Sequence, residues 1–244
     1  MTGRKRNLSF FIGVLIFSLG AGVNPVVAQA QLKPIQKSRN GLIAVIGLAE
    51  HAKRYRFLYE QEEKAAIGIT EKYLAPHYEA FIPLYRADAT FDHFLAAVRS
   101  LQSRSDVEQI DLVIYLHGHR HELCFNGKKE CEPSHHLPER IKSPQKLRAV
   151  YSDACWGATH MDDLLASGFK AVSGAIDQDV NHTADYRRFV RAWTKGHTFS
   201  ESIDYANRYL LNPILNRLGN GNSTKLKEGD SELRLISPVP KNNP

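Results

Sequence analysis

No glycine-rich phosphate loop occurs in this chain, since Gly118 stands by itself, so nucleotide-binding chemistry has no signature to rest on. A serine-hydrolase elbow is missing too: Ser173 precedes Gly174 but lacks a glycine two residues earlier. There are no internal repeats, and past residue 30 no stretch is long and apolar enough to span a bilayer. Cysteine is scarce, with three among 244 residues. An excess of one charge sign is also largely illusory. The formal charge is +6, but Arg4, Lys5 and Arg6 supply three of those charges within a first segment that has no acidic residue. The remaining basic residues are dispersed, so nucleic-acid binding is not called for.

What the first segment contains is a sorting pattern. The basic trio precedes an apolar core from Leu8 to Leu19, and Ala28-Gln29-Ala30 places small residues at −3 and −1 of a cleavage site. Residues 1–30 are therefore expected to be a signal peptide. The apolar core is short for a membrane span and Asn24-Pro25 interrupts it, so no membrane association is expected after leader cleavage. No cysteine follows Ala30, which argues against a lipoprotein. The protein is expected to be exported, either periplasmic or secreted. Residues 31–40 read as a polar lead-in, 41–236 as one domain and 237–244 as a flexible tail.

Export bears on the cysteines. In an oxidising compartment nearby thiols pair. Cys124 and Cys131 are separated by Phe-Asn-Gly-Lys-Lys-Glu, a turn-forming spacer, and are expected to form a disulfide. Cys155 is then left odd, and an unpaired thiol in an exported chain is a candidate reactive group.

Two apolar runs carry most of the functional information. Residues 110–118 read Ile-Asp-Leu-Val-Ile-Tyr-Leu-His-Gly, and residues 147–155 read Leu-Arg-Ala-Val-Tyr-Ser-Asp-Ala-Cys. Each has the pattern of a strand buried on both faces, and each ends in a residue capable of chemistry. In a parallel sheet His117 and Cys155 would share the carboxyl edge, where open α/β sheets bind ligands. Side by side they would form a thiolate–imidazolium pair suited to nucleophilic acyl transfer.

A hydrophobic block ending in His-Gly, a spacer and a second block ending in Ala-Cys resembles the caspase-like cysteine peptidases: caspases, metacaspases, legumains, gingipains and CHAT-domain proteins. The resemblance implies that His117 is the general base and Cys155 the nucleophile. It further implies an oxyanion hole from the backbone N–H groups of Gly118 and Cys155. Asp153, two residues before the nucleophile, is similar to a metacaspase aspartate that helps form an acidic pocket for Arg or Lys. Asp177 and Asp179 are second candidates for that pocket wall. The implied activity is a cysteine endopeptidase cleaving peptides or proteins after basic residues, with no cofactor and no bound metal. The oligomeric state is not assigned.

The order of elements agrees with this. Strands are expected at Leu42–Gly47, Ala80–Tyr85, up to His117, up to Cys155 and at Ala171–Gly174, with an edge strand at Leu233–Ile236. Between them come a helix from about Arg54 to Leu74 ended by Pro76, one capped by Thr90, a polar loop from His119 to Gln145 and a short helix at Met161–Ala166. Two more helices follow, one bearing Tyr186, Phe189, Val190 and Trp193 on one face, and one opened by the Thr198/Glu201 capping box and closed by Asn212-Pro213. Alternating strands and helices require a mostly parallel central sheet with helices on both faces, an α/β three-layer sandwich. In the caspase-like layout, histidine ends the third strand and cysteine the fourth.

Two other functions compete. His117, His119 and His121 alternate along an extended segment, with His135 and His136 nearby, so a His-rich metal site completed by Glu122 or Asp153 is one. A caspase-like binding protein without turnover is the other.

Overall fold

The computed structural model describes residues 35, 37–50, 56–127, 131–142, 144–180 and 182–236. The expected signal peptide and the tail at 237–244 lie outside the described residues.

The apolar runs form the sheet. In chain order the strands are β1 (Ser38–Gly47), β2 (Tyr78–Tyr85), β3 (Gln109–His119), β4 (Glu122–Cys124), β5 (Glu132–Pro133), β6 (Leu147–Ser152), β7 (Ala171–Ala175) and β8 (Lys225–Gly229). The main path runs β2-β1-β3-β6-β7-β8, parallel except for β8, while β4 and β5 form a small flap off β3. Pro83, which cannot donate to a ladder, sits on edge strand β2.

Side chains alternate across the sheet, so each strand feeds two cores. Ile43, Val45, Leu112, Ile114, Val150 and Val172 pack on one face with Phe91, Phe94, Leu95, Val98 and Leu101 of helix α2 (Phe91–Ser103). The short helices α3 (Leu137–Arg140) and α4 (Met161–Ala166) complete that layer. Leu42, Ala44, Ile46, Val113, Tyr115 and Tyr151 face the other way, against α1 (Arg56–Ile69), α5 (His182–Trp193) and α6 (Phe199–Asn207). The result is a three-layer sandwich with helices on both faces of a mostly parallel sheet.

Local signals explain the helix ends. Thr90 accepts from the His93 N–H at 3.2 Å, and Thr198 and Glu201 form both bonds of the capping box, at 3.0 and 2.8 Å. Asp111 and Arg148, the polar residues of the two buried runs, neutralise one another: Arg148 Nε donates to Asp111 Oδ1 at 2.7 Å, and Tyr78 donates to Oδ2 at 2.6 Å. A charge buried on a central strand is tolerable only with such a partner.

Four expectations are corrected. β1 begins at Ser38, inside the supposed lead-in, because Ser38 pairs with Tyr78 on β2. The segment 119–145 is not a bare loop; it carries β4, β5 and α3. Asn212-Pro213 does not close α6, which stops at Asn207, but opens helix α7 (Asn212–Gly219), where proline at the first turn forfeits no hydrogen bond. The last edge strand is Lys225–Gly229, whereas Leu233–Ile236 contributes a single bridge between Arg234 and Thr198. Cys124 and Cys131 are joined in a disulfide that ties β4 to the start of the β5 segment, and Cys155 is free.

Candidate active site

Strand order reverses between β1 and β3, since β2 lies to one side of β1 and all later strands to the other. Carboxyl ends of strands open into a crevice at such a point. His117 sits there, where β3 leaves the main sheet. Leu116 is the last β3 residue to pair with β1, and His117 already pairs with Cys124 of β4. Its Nε2 lies 2.9 Å from the carbonyl oxygen of Leu48, just past β1. A carbonyl only accepts, so Nε2 carries the proton and Nδ1 is the basic atom of the ring. Tyr59 of α1 packs its ring edge-on against His117, with centroids 4.8 Å apart.

Cys155 lies three residues beyond β6, not at its last position. The ladder extends one step as Asp153 N–H donates to the Ile114 carbonyl at 2.8 Å, and then the chain turns. Trp156 adopts a left-handed conformation with φ of 52°, and its N–H is held by the Asp177 carbonyl at 2.9 Å. This pulls the turn towards the exit of β7. The turn packs against β3 at Gly118, where a Cβ would stand 2.6 Å from the Cys155 oxygen and 3.4 Å from its nitrogen. Only glycine permits that approach. Among the described residues the Cys155 N–H has no hydrogen-bond acceptor. Two strand ends thus bring His117, Gly118 and Cys155 into one place.

The Arg-specific cysteine proteinase gingipain R (RGPB) superimposes with a TM-score of 0.56 at 12% identity, covering 83% of this chain. The fold is caspase-like. This chain covers about half of the gingipain chain, 49%. A secreted C11 cysteine protease from Bacteroides thetaiotaomicron, solved with an irreversible peptide inhibitor, gives a TM-score of 0.48 at 12% identity over 72% of this chain and 59% of that one. The Drosophila initiator caspase Dronc gives 0.49 at 10% identity over 90% and 92%. No protein-family model and no curated protein matches the sequence.

The caspase-like frame holds a feature that sequence reading missed. Lys225 of β8 is fully buried, with its Nζ 2.6 Å from Asp153, 2.5 Å from Asp179 and 2.9 Å from Asp185. Asp153 and Asp179 were expected to face a substrate cation; both face this lysine instead. Three carboxylates outnumber one ammonium, and burial pushes the Asp153 carboxyl well above its usual range, with Asp185 and Asp179 adding to the effect against the pull of Lys225. The third pocket candidate, Asp177, is half-buried, and its carboxylate takes no hydrogen bond or ion pair among the described residues.

The thiol is equally conditioned by burial, which pushes Cys155 up to about 12, with the charges of Asp179 and Asp153 acting the same way and the Asp179 N–H and Lys225 opposing. That direction opposes the expected thiolate–imidazolium pair. Burial also raises the Tyr59 hydroxyl, with Cys155 next among the causes.

The histidine-rich run does not converge. His117 is turned to Leu48, His119 is exposed and His121 has φ of 61°, which breaks the alternation that would align the three rings. Among the described residues, the groups of potential ligands that do lie together are His119 with Cys124 and Cys131, and Asp153 with Asp179 and Asp185. The disulfide commits the first pair of sulfurs, and Lys225 sits within the second group. Among the described residues no helix is long and apolar enough to cross a membrane.

Proposed function

We propose that this chain is an exported cysteine endopeptidase in which His117 and Cys155 form the catalytic dyad. The observation that carries the reading is the packing of Gly118 against the Cys155 backbone, with the imidazole of His117 oriented by Leu48. Nδ1 of His117 takes the thiol proton as sulfur attacks the scissile carbonyl carbon. The N–H groups of Cys155 and Gly118 receive the oxyanion, each such donor being worth roughly 3 kcal/mol in the transition state. The C–N bond then breaks, His117 passes its proton to the leaving amine, and water hydrolyses the thioester with His117 as base. Export rests on the leader pattern of residues 1–30. Cleavage profiles across a peptide library, run with wild type, Cys155→Ala and His117→Ala, test the assignment. Turnover that survives either change removes it.

We assign selection of Arg or Lys at the cleaved position to Asp177, whose carboxylate is uncommitted and whose backbone oxygen anchors Trp156 beside the nucleophile. Asp177→Asn should lower kcat/KM on Arg or Lys peptides by about one to two orders of magnitude, the worth of a charged hydrogen bond, and leave uncharged peptides unchanged. Equal loss on both, or none on either, removes Asp177 from the pocket.

The buried thiol favours a second reading, a caspase-like binding protein without turnover. Reactivity separates the two. Because burial raises the Cys155 thiol, its iodoacetamide alkylation should rise about tenfold per pH unit from pH 6 to 9. A plateau near neutrality would mean a preformed ion pair. The peptidase reading further expects peptidyl acyloxymethyl ketones to label Cys155 one-to-one at pH 7.5. The binding reading expects no labelling until urea unfolds the chain.

A further inference from the structure

Among the buried groups the dyad does not use, Glu63 of α1 is 1% exposed and sits behind the carbonyl that orients His117. Its Oε2 accepts from the N–H of Leu48 at 3.0 Å and of Ala49 at 3.3 Å, and its Oε1 accepts from Arg86 Nε at 2.8 Å. The Ala49 N–H and the Leu48 carbonyl belong to one peptide unit. In a trans peptide they point in opposite directions along a single resonance-coupled dipole. A carboxylate on the N–H side therefore pushes electron density to the oxygen that faces His117 Nε2, and bonds in such a chain strengthen one another.

We infer that Glu63 is a positioning residue for His117, acting through the 48–49 peptide as the aspartate of a Ser-His-Asp triad acts directly. The inference rests on His117 as the general base. The relay does two things: it holds the imidazole with Nε2 protonated, and it stabilises the imidazolium that forms when the Cys155 proton arrives. Arg86 partly offsets the carboxylate. It does so from a left-handed backbone, φ 53°, held by hydrogen bonds to its carbonyl from Ala89 N–H at 2.9 Å and Asn126 Nδ2 at 2.7 Å. A non-glycine residue kept in that region indicates that the surroundings insist on its placement. Tyr59, one turn before Glu63 on the same helix face, packs on the ring, so α1 contacts His117 directly and through the peptide. Other titratable groups on the elements around His117 are Glu62 of α1, Glu50 after β1, His119 of β3 and Cys155.

The decisive readout is the NMR titration of the His117 ring, which needs no turnover and runs in Cys155→Ala protein as well as in the native chain. Glu63→Gln keeps acceptors for both N–H groups and removes the charge, so His117 should titrate about 0.5–1 pH unit lower. Arg86→Met removes the offsetting cation and should move it by a smaller step in the opposite direction. In the active enzyme, kcat should fall about tenfold in Glu63→Gln with KM unchanged, and the acid limb of the kcat/KM profile should shift down with the ring titration. If Glu63→Gln does not fold, the upward shift in Arg86→Met still decides. A His117 titration unmoved in both variants overturns the proposal. A wild-type chain without turnover overturns the peptidase reading and leaves the ring titration to decide this one.

Discussion

Cys155→Ala protein is expected to lose at least about three orders of magnitude of peptide hydrolysis. The reason is chemical: alanine offers no atom for the acyl group, and the neighbouring side chain packed where the turn meets Gly118, that of Ala154, carries no nucleophile. His117→Ala should cost nearly as much, because a thiol pushed up to about 12 by burial cannot ionise unaided near neutrality. In the proposed dyad the two residues would act as a unit, so the double variant should be hardly worse than either single one. Initial rates on a fluorogenic peptide, with active-site titration to normalise the enzyme, measure all three. Activity within tenfold of wild type in Cys155→Ala would show that another group performs the reaction.

A comparably large effect, on stability, is expected at Lys225. Its ammonium is the counter-ion of Asp153, Asp179 and Asp185 in a site closed to water. Lys225→Met preserves most of the volume but leaves the carboxylates facing one another, and losing one partner of a buried ionic group costs about 3–5 kcal/mol. Urea unfolding should show that loss, and a change below about 1 kcal/mol would mean that the carboxylates are already neutral. The same cluster sets a pH dependence. Burial holds the Asp153 carboxyl well above its usual range, so the folded chain keeps a proton that the unfolded chain releases. That contribution is full below the unfolded value of about 4 and is lost as pH rises through the folded one. Stability should therefore decline from pH 4 upward by this component, and Asp153→Asn, which imitates the protonated acid, should flatten the slope.

The acidic cluster also illustrates where reading the chain succeeds and stops. Asp153 stands out because it lies two residues before Cys155, yet nothing near it in sequence announces a lysine 72 positions later. Lys225 lies in Lys-Leu-Lys-Glu-Gly, a stretch without the apolar run or clean alternation that marks a strand. It becomes a strand only because β7 presents an open edge, and its lysine is buried only because three carboxylates await it. Glu63 is similar. As a helix former between Glu62 and Lys64 it reads as solvent-facing, although Tyr59, Glu63, Ala66 and Thr70 recur at helical spacing on one stripe. The relation between Leu48 and His117 spans 69 residues and involves a backbone carbonyl, which has no letter in the sequence.

Local physics was enough for the rest. Continuous apolar runs require strands covered on both faces, alternation with amphipathic helices requires a parallel sheet, and the Thr90 and Thr198 caps mark where two helices begin. Those features depend on neighbours within a few residues, so the chain alone determined them, along with the pairing of Cys124 with Cys131 across a short turn. Tertiary structure alone decided which carboxylates are spent internally, that burial raises the thiol and that α1 stands behind the histidine. Charge state and hydrogen-bond partnership depend on water exclusion and on groups far apart in sequence, and both arise only when the layers close.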